Sequence, residues 1–222
     1  VVYALLDERV PRAPLVGKVA AMRMKIITML GAVCLLATGC SGGGGSDGKE
    51  KPIGPLLPQK LTKPEMGSLE PTASPAADAT FAENVVYALQ RKTLTMAGAP
   101  GAVTGECPKD MESKAGTTVT CTIIYEGVQV AWNVTIGEKG WSQNVVEYTA
   151  FPRQGLVARD GVARLMFGND STLDYALCNN IPKAVLVPFG KTDYKCEKVS
   201  QGKEPIGYNQ TVHITDTGPM VR

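Results

Sequence analysis

The chain has 222 residues, 44% hydrophobic and 20% charged, with 23 basic and 21 acidic residues. Five of the basic and two of the acidic residues lie in the first 39, so the remainder carries 18 and 19, close to neutrality. No basic stripe interleaved with aromatics is left to hold phosphates, which excludes nucleic acid as a partner. Residues 1–21, VVYALLDERVPRAPLVGKVAA, contain Asp7, Glu8 and three basic residues, unlike a compact signal start. They read as an over-extended leader outside the fold, and the echo of Val1–Leu5 at Val85–Leu89 lacks matching flanks.

Residues 22–39 follow the grammar of an export signal. Arg23 and Lys25 give a positive start, Ile26 to Thr38 is uncharged, and small residues close the run. The run is shorter than the roughly 20 apolar residues a bilayer span needs. Ala37-Thr38-Gly39-Cys40 resembles the lipobox of bacterial lipoproteins, with Leu36 just ahead of it. The resemblance implies that Cys40 receives a diacylglyceryl group and becomes the first mature residue. It therefore implies a lipid anchor on the outer face of the cell membrane.

Residues 40–77 change composition. SGGGGSDG is followed by Pro52, Pro55, Pro58, Pro64, Pro71 and Pro75, with charges scattered and no apolar period. Such a segment buries too little surface to offset its ordering entropy, so the sequence predicts a disordered tether.

From Asp78 onward there are roughly 145 residues, enough for one ordinary core or two small ones. Thr80-Phe81-Ala82-Glu83 has the form of a capping box, and Phe81, Val85, Ala88 and Leu89 recur at helical spacing to about Lys92. Val119, Cys121, Ile123 and Tyr125 alternate with threonines, and Val128 to Ile136 alternate again after the break Glu126-Gly127. This predicts a hairpin, extended by a third strand over 141–150 beyond Gly137–Gly140.

The pattern then returns. Asp160 is placed to cap a short helix carrying Val162, Leu165 and Met166. Leu173, Tyr175 and Leu177 alternate into Cys178, Gly190 precedes Cys196, and Val212 and Ile214 mark a last strand. Tyr208-Asn209 aligns with Trp132-Asn133 on this reading. The sequence thus predicts an α+β protein of tandem modules, 78–152 and 153–222, each one helix packed on an antiparallel sheet. The second copy lacks a full counterpart of strand 141–150. That edge is expected to stay short or to be filled from the first copy.

At Cys107-Pro108, Gly116 and Cys121 the chain resembles a family of unknown function found in actinobacterial secreted and lipid-anchored proteins. Cys178-Asn179, Gly190 and Cys196 match the same pattern without the proline. The family carries no established chemistry and implies none here.

Cys34 lies in the signal and Cys40 takes lipid, so four cysteines remain in an oxidising space, with three possible connectivities. The duplication selects Cys107–Cys121 and Cys178–Cys196. These spacings are too wide for a zinc site of close cysteine pairs, and paired cysteines leave no thiolate for catalysis. No metal or other cofactor is expected. His213, the single histidine, alternates away from Val212 and Ile214 toward solvent, with no nucleophile motif beside it. Asp110/Glu112 and Asp170/Asp174 are the acid pairs open to a hydrolytic role. Trp132 is in phase with Val130 and Val134 and reads as core, which leaves Trp141 as the candidate contact residue.

The expected protein is therefore not an enzyme. It is a lipid-anchored envelope protein that binds a protein or cell-wall partner through its sheet face or loops. Helix-plus-sheet modules with one disulfide each are also similar to β-lactamase-inhibitory proteins, although the helix start F-x-x-V-x-x-G-M-T of that family is absent. A hydrolase using an acid pair is the third reading.

Overall fold

The computed structural model describes residues 52–111, 113–139, 146–168 and 170–222. The capping box forms as expected: Thr80 Oγ1 accepts from Glu83 N–H, and the Glu83 carboxylate accepts from Thr80 N–H at 2.7 Å. The Thr80 N–H, and then the Thr80 hydroxyl donating to the same carboxylate at 2.8 Å, hold the Glu83 carboxyl below its usual pKa range. The helix they start, α1 (Phe81–Ala97), runs five residues past Lys92. Thr93, Leu94, Met96 and Ala97 continue its buried stripe, and nothing breaks the backbone before Gly98.

Beyond α1 the chain makes an antiparallel meander of four strands: β2 (Val103–Glu106), β3 (Thr118–Tyr125), β4 (Val128–Lys139) and β5 (Val146–Pro152). Glu126 and Gly127 form the two-residue turn between β3 and β4, with φ of 49° and 82°. Positive φ at both positions matches the turn twist to that of the flanking strands. The inward residues of this sheet, Cys121, Ile123, Tyr125, Val130, Trp132 and Val134, pack under α1 with Val85, Leu89 and Leu94.

The second half also has a helix. Helix α2 (Arg159–Gly168) precedes β7 (Leu173–Cys178), β9 (Gly190–Ser200), β10 (Gln210–Thr215) and β11 (Gly218–Val221), again in meander order. Asp160 lies in the first turn of α2 rather than ahead of it. The edge that the sequence left open is closed by β11, a four-residue strand holding Pro219 at an edge position where a missing N–H is tolerated. The alignment of Tyr208 with Trp132 does not hold. Cys121 faces Trp132 across its ladder, whereas Cys196 faces Gln210, and Tyr208 is left outside the strand and 62% exposed.

Two further strands, β6 (Gly155–Ala158) and β8 (Ala184–Val187), pair with each other alone. This ribbon packs on both faces, with β6 buried and β8 half-buried. Leu156, Ala158, Ala184 and Leu186 pack into the core beneath α1, while Val157, Val185 and Val187 pack into the core of the second half. Each pair of neighbours along the ribbon points to opposite faces, so one short element serves two cores. Gly161 in α2 meets the end of α1 so closely that a Cβ there would lie 1.8 Å from Ala97 O. Residues 52–222 accordingly belong to one compact unit. The boundary expected near residue 152 does not separate two bodies, because the β6–β8 ribbon and the helix contact interlock the halves.

The predicted tether is also corrected over its second part. Segment 59–61, QKL, is strand β1 (Gln59–Leu61), which adds antiparallel to β7 as the other edge of the five-stranded sheet β1-β7-β9-β10-β11. Gln59 reinforces the pairing by donating to Ile181 O at 3.0 Å and accepting from Ile181 N–H at 2.8 Å. Lys60 Nζ sits 4.0 Å from the centre of the Tyr175 ring, a cation–π contact. Downstream, Arg164 donates to Gly67 O and Arg91 donates to Glu70, while Leu69 packs on the first core. The strap buries no core of its own. It is held residue by residue on edges that the folded body already presents, and such anchoring leaves no apolar period to read.

Candidate functional site

The two disulfides are Cys107–Cys121 and Cys178–Cys196, the expected pairings. Cys178 and Cys196 are direct cross-strand partners of β7 and β9. Cys107 follows the last paired residue of β2, with Glu106 opposite Thr122, so it too meets its partner across the first two strands of a meander. Cys40, Trp141 and Glu112 lie outside the described residues.

Of the two acid pairs, only Asp170/Asp174 lies wholly among the described residues. Asp170 accepts from Thr172 N–H at 3.0 Å and from Thr172 Oγ1 at 2.7 Å. These bonds hold its pKa below the usual carboxylate range, and the geometry is a local turn. Asp174 points to solvent from β7, and Asp110 is exposed. His213 alternates away from buried Val212 and Ile214, as expected, and faces Met220 and Lys191 on the adjacent strands. Trp132 is 2% exposed, a core residue as read from its phase.

What the fold leaves open is the outer face of the sheet β2-β3-β4-β5. Strand alternation that sends Cys121, Ile123, Trp132 and Val134 inward sends Thr118, Thr120, Asn133 and Thr135 outward. Register lines these up in rows: Thr118 opposite Thr135 opposite Thr149, and Thr120 opposite Asn133 opposite Phe151. Thr118 and Thr135 share a hydroxyl contact of 3.1 Å. Arg153 lies across the second row, donating to Asn133 Oδ1 at 3.1 Å and to Thr120 Oγ1 at 3.0 Å. At the end of that row Phe151 stands 64% exposed.

The face is therefore a plane of hydroxyl and amide groups with one ring at its rim and one guanidinium fixed by its neighbours. Its described residues offer hydrogen bonds and a stacking surface. Among the described residues no cluster of histidine, cysteine or acidic side chains is arranged to hold a metal ion. The sequence reading missed Phe151, although a signal existed: it is a large apolar residue in the polar phase of its strand, in step with Glu147 and Thr149.

Two grooves border the strap. The larger, about 800 Å³, runs between residues 73–79, the first turns of α1 and the Cys107 loop. Its charged groups are Asp78, Glu83, Glu106 and Lys109, and Glu83 is committed to the helix cap. The other, about 630 Å³, lies between β1 and the start of α2 at Arg159 and Asp160. Neither contains a histidine or cysteine thiol.

Glu126 ties the halves together at the hairpin turn. Its carboxylate pairs with Lys183 at the foot of β8 and accepts from Ala102 N–H at 2.7 Å. The Lys183 bond and then the Ala102 N–H hold its pKa below the ordinary value. Tyr125 beside it is pushed up to about 12 by burial, which keeps the phenol neutral as it donates to Pro100 O. No protein family, curated protein or solved structure matches this chain.

Proposed function

We propose that this chain is an extracytoplasmic lipoprotein, held on the outer face of the membrane through acylated Cys40, that binds a protein or cell-wall partner without chemistry of its own. The observation that carries the binding role is the open face of the first sheet, with Thr120, Asn133 and Phe151 in one row and Phe151 64% exposed. An aromatic ring beside ordered hydroxyl and amide donors suits contact with a peptide or glycan surface. The two halves, helix then four-strand meander with the first two strands joined by a disulfide, read as diverged copies that later shared a core through the ribbon β6–β8.

The test is a pull-down from intact envelope using the anchored protein, its Phe151→Ala variant and a soluble form lacking residues 1–40. Binding through the sheet face predicts that Phe151→Ala loses a component that both native forms retain. Equal capture by Phe151→Ala would overturn the assignment of this face. A secreted inhibitor is the second reading, favoured by the one-disulfide halves, and it predicts a captured hydrolase whose activity falls on binding. For the hydrolase reading, Asp170 is committed through Oδ1 to Thr172, which lends that acid pair no support.

A further inference from the structure

The strap enters the fold through a tight clasp. Ile53 N–H donates to Ile206 O at 2.6 Å, and Asn209 Nδ2 donates to Pro55 O at 3.0 Å. Between these bonds Gly54 and Gly207 meet backbone to backbone. A Cβ on Gly54 would lie 2.6 Å from Gly207 O, and one on Gly207 would lie 2.3 Å from Gly54 O. The far side of the clasp is held by Glu197, 2% exposed, whose Oε1 accepts from Ile206 N–H at 2.6 Å and Gly207 N–H at 2.9 Å. A buried carboxylate binding two successive backbone N–H groups fixes the loop firmly.

This rigid clasp carries three large apolar side chains directed at solvent: Ile53, 73% exposed, Leu56, 49%, and Tyr208, 62%. They account for half of the large hydrophobic residues exposed among the described residues, the others being Met66, Phe151 and Phe189. Their place in the chain says what covers them. Eleven residues separate Cys40 from Pro52, a connection that spans at most about 40 Å. An anchor at Cys40 therefore holds the clasp, before any other part of the body, beside the bilayer at an effective concentration on the order of millimolar.

We infer that the clasp formed by Ile53, Leu56 and Tyr208 is a membrane-docking surface that seats the body on the lipid headgroup region. Tyrosine, with an apolar ring and a polar tip, suits that boundary, and the two aliphatic side chains enter the adjoining apolar layer. The inference rests on the lipid-anchored reading. It adds an orientation: the body lies against the bilayer at the clasp, with the row ending in Phe151 belonging to the other sheet and free for a partner.

The experiment uses the chain from Cys40 onward, coupled through the Cys40 thiol to a maleimide lipid in phosphatidylcholine–phosphatidylglycerol vesicles. Backbone hydrogen exchange is compared with the same chain in solution. Docking predicts exchange at least about fivefold slower on vesicles for peptides covering 53–57 and 204–210, with 113–117 unchanged. The Ile53→Ser/Tyr208→Ser variant should lose that slowing while exchanging like the native chain in solution. Equal exchange on vesicles and in solution, or slowing that survives the double substitution, would overturn the inference. Slowing in solution that grows with protein concentration would also overturn it, by assigning the clasp to a second copy of the chain. Because the anchor is supplied chemically, failure here is distinct from failure of cells to acylate Cys40, which is read separately from the precursor.

Discussion

Trp132 Nε1 donates to Thr93 Oγ1 at 3.1 Å, and Thr93 Oγ1 donates in turn to Leu89 O at 2.8 Å. Both side chains are buried, Thr93 completely. The contact locks β4, an inner strand of the first sheet, to the fourth turn of α1. It also satisfies the indole N–H that makes tryptophan costly to bury.

Thr93→Val keeps the shape and removes the acceptor, so it leaves the indole N–H unpaired. A loss of about 1–3 kcal/mol in urea unfolding is expected. A change within experimental error would show that the contact does not hold the helix.

The strap is expected to resist proteolysis. In native protein, cleavage should stop near residue 52 rather than near Asp78, because β1 pairs with β7 and Gln59 grips Ile181 at both of its backbone groups. Gln59→Ala leaves those two groups without their partner and should open 53–61 to protease, at a cost of about 1–3 kcal/mol. Rapid trimming of the native form to Asp78 would contradict this account.

How much of this was legible in the sequence follows from what each element needs. The capping box, the Glu126-Gly127 hairpin and the alternation of β3 and β4 are local patterns, and each stands where its residues put it. The disulfides followed from repetition. Strands β1, β6, β8 and β11, of three or four residues, carry no period of their own, since each is fixed by the element it pairs with. Val157 and Leu156 illustrate the difficulty, because consecutive apolar residues facing two cores show no alternation. The clasp was hidden for the same reason, as Gly54 and Gly207 are 153 positions apart.

Replacing either cysteine pair by serine should cost about 2–5 kcal/mol. Because the β6–β8 ribbon contributes side chains to both cores, the weakened protein should still unfold in one transition by calorimetry. Two separated transitions, with only one moved by removing Cys178–Cys196, would restore the picture of independent modules.

The Glu126–Lys183 pair makes stability depend on acid pH. The folded-state pKa of Glu126 is lowered by Lys183 and by Ala102 N–H. Its contribution is therefore present above the unfolded value and is lost as pH falls through the lowered folded value. Glu126→Gln should flatten that acid limb by lowering stability at neutral pH while changing it little below the folded-state value. Lys183 is 63% exposed, so the effect is modest and shrinks in high salt. An unchanged acid limb in Glu126→Gln would contradict the assignment.

The most direct measurement of the central claim is metabolic labelling with a radioactive fatty acid in cells making the native chain and Cys40→Ala. The account predicts that the native protein takes up label and partitions into detergent. Cys40→Ala should take up none and accumulate as uncleaved precursor. Labelling of Cys40→Ala equal to native, or a native chain that carries no lipid, would contradict it.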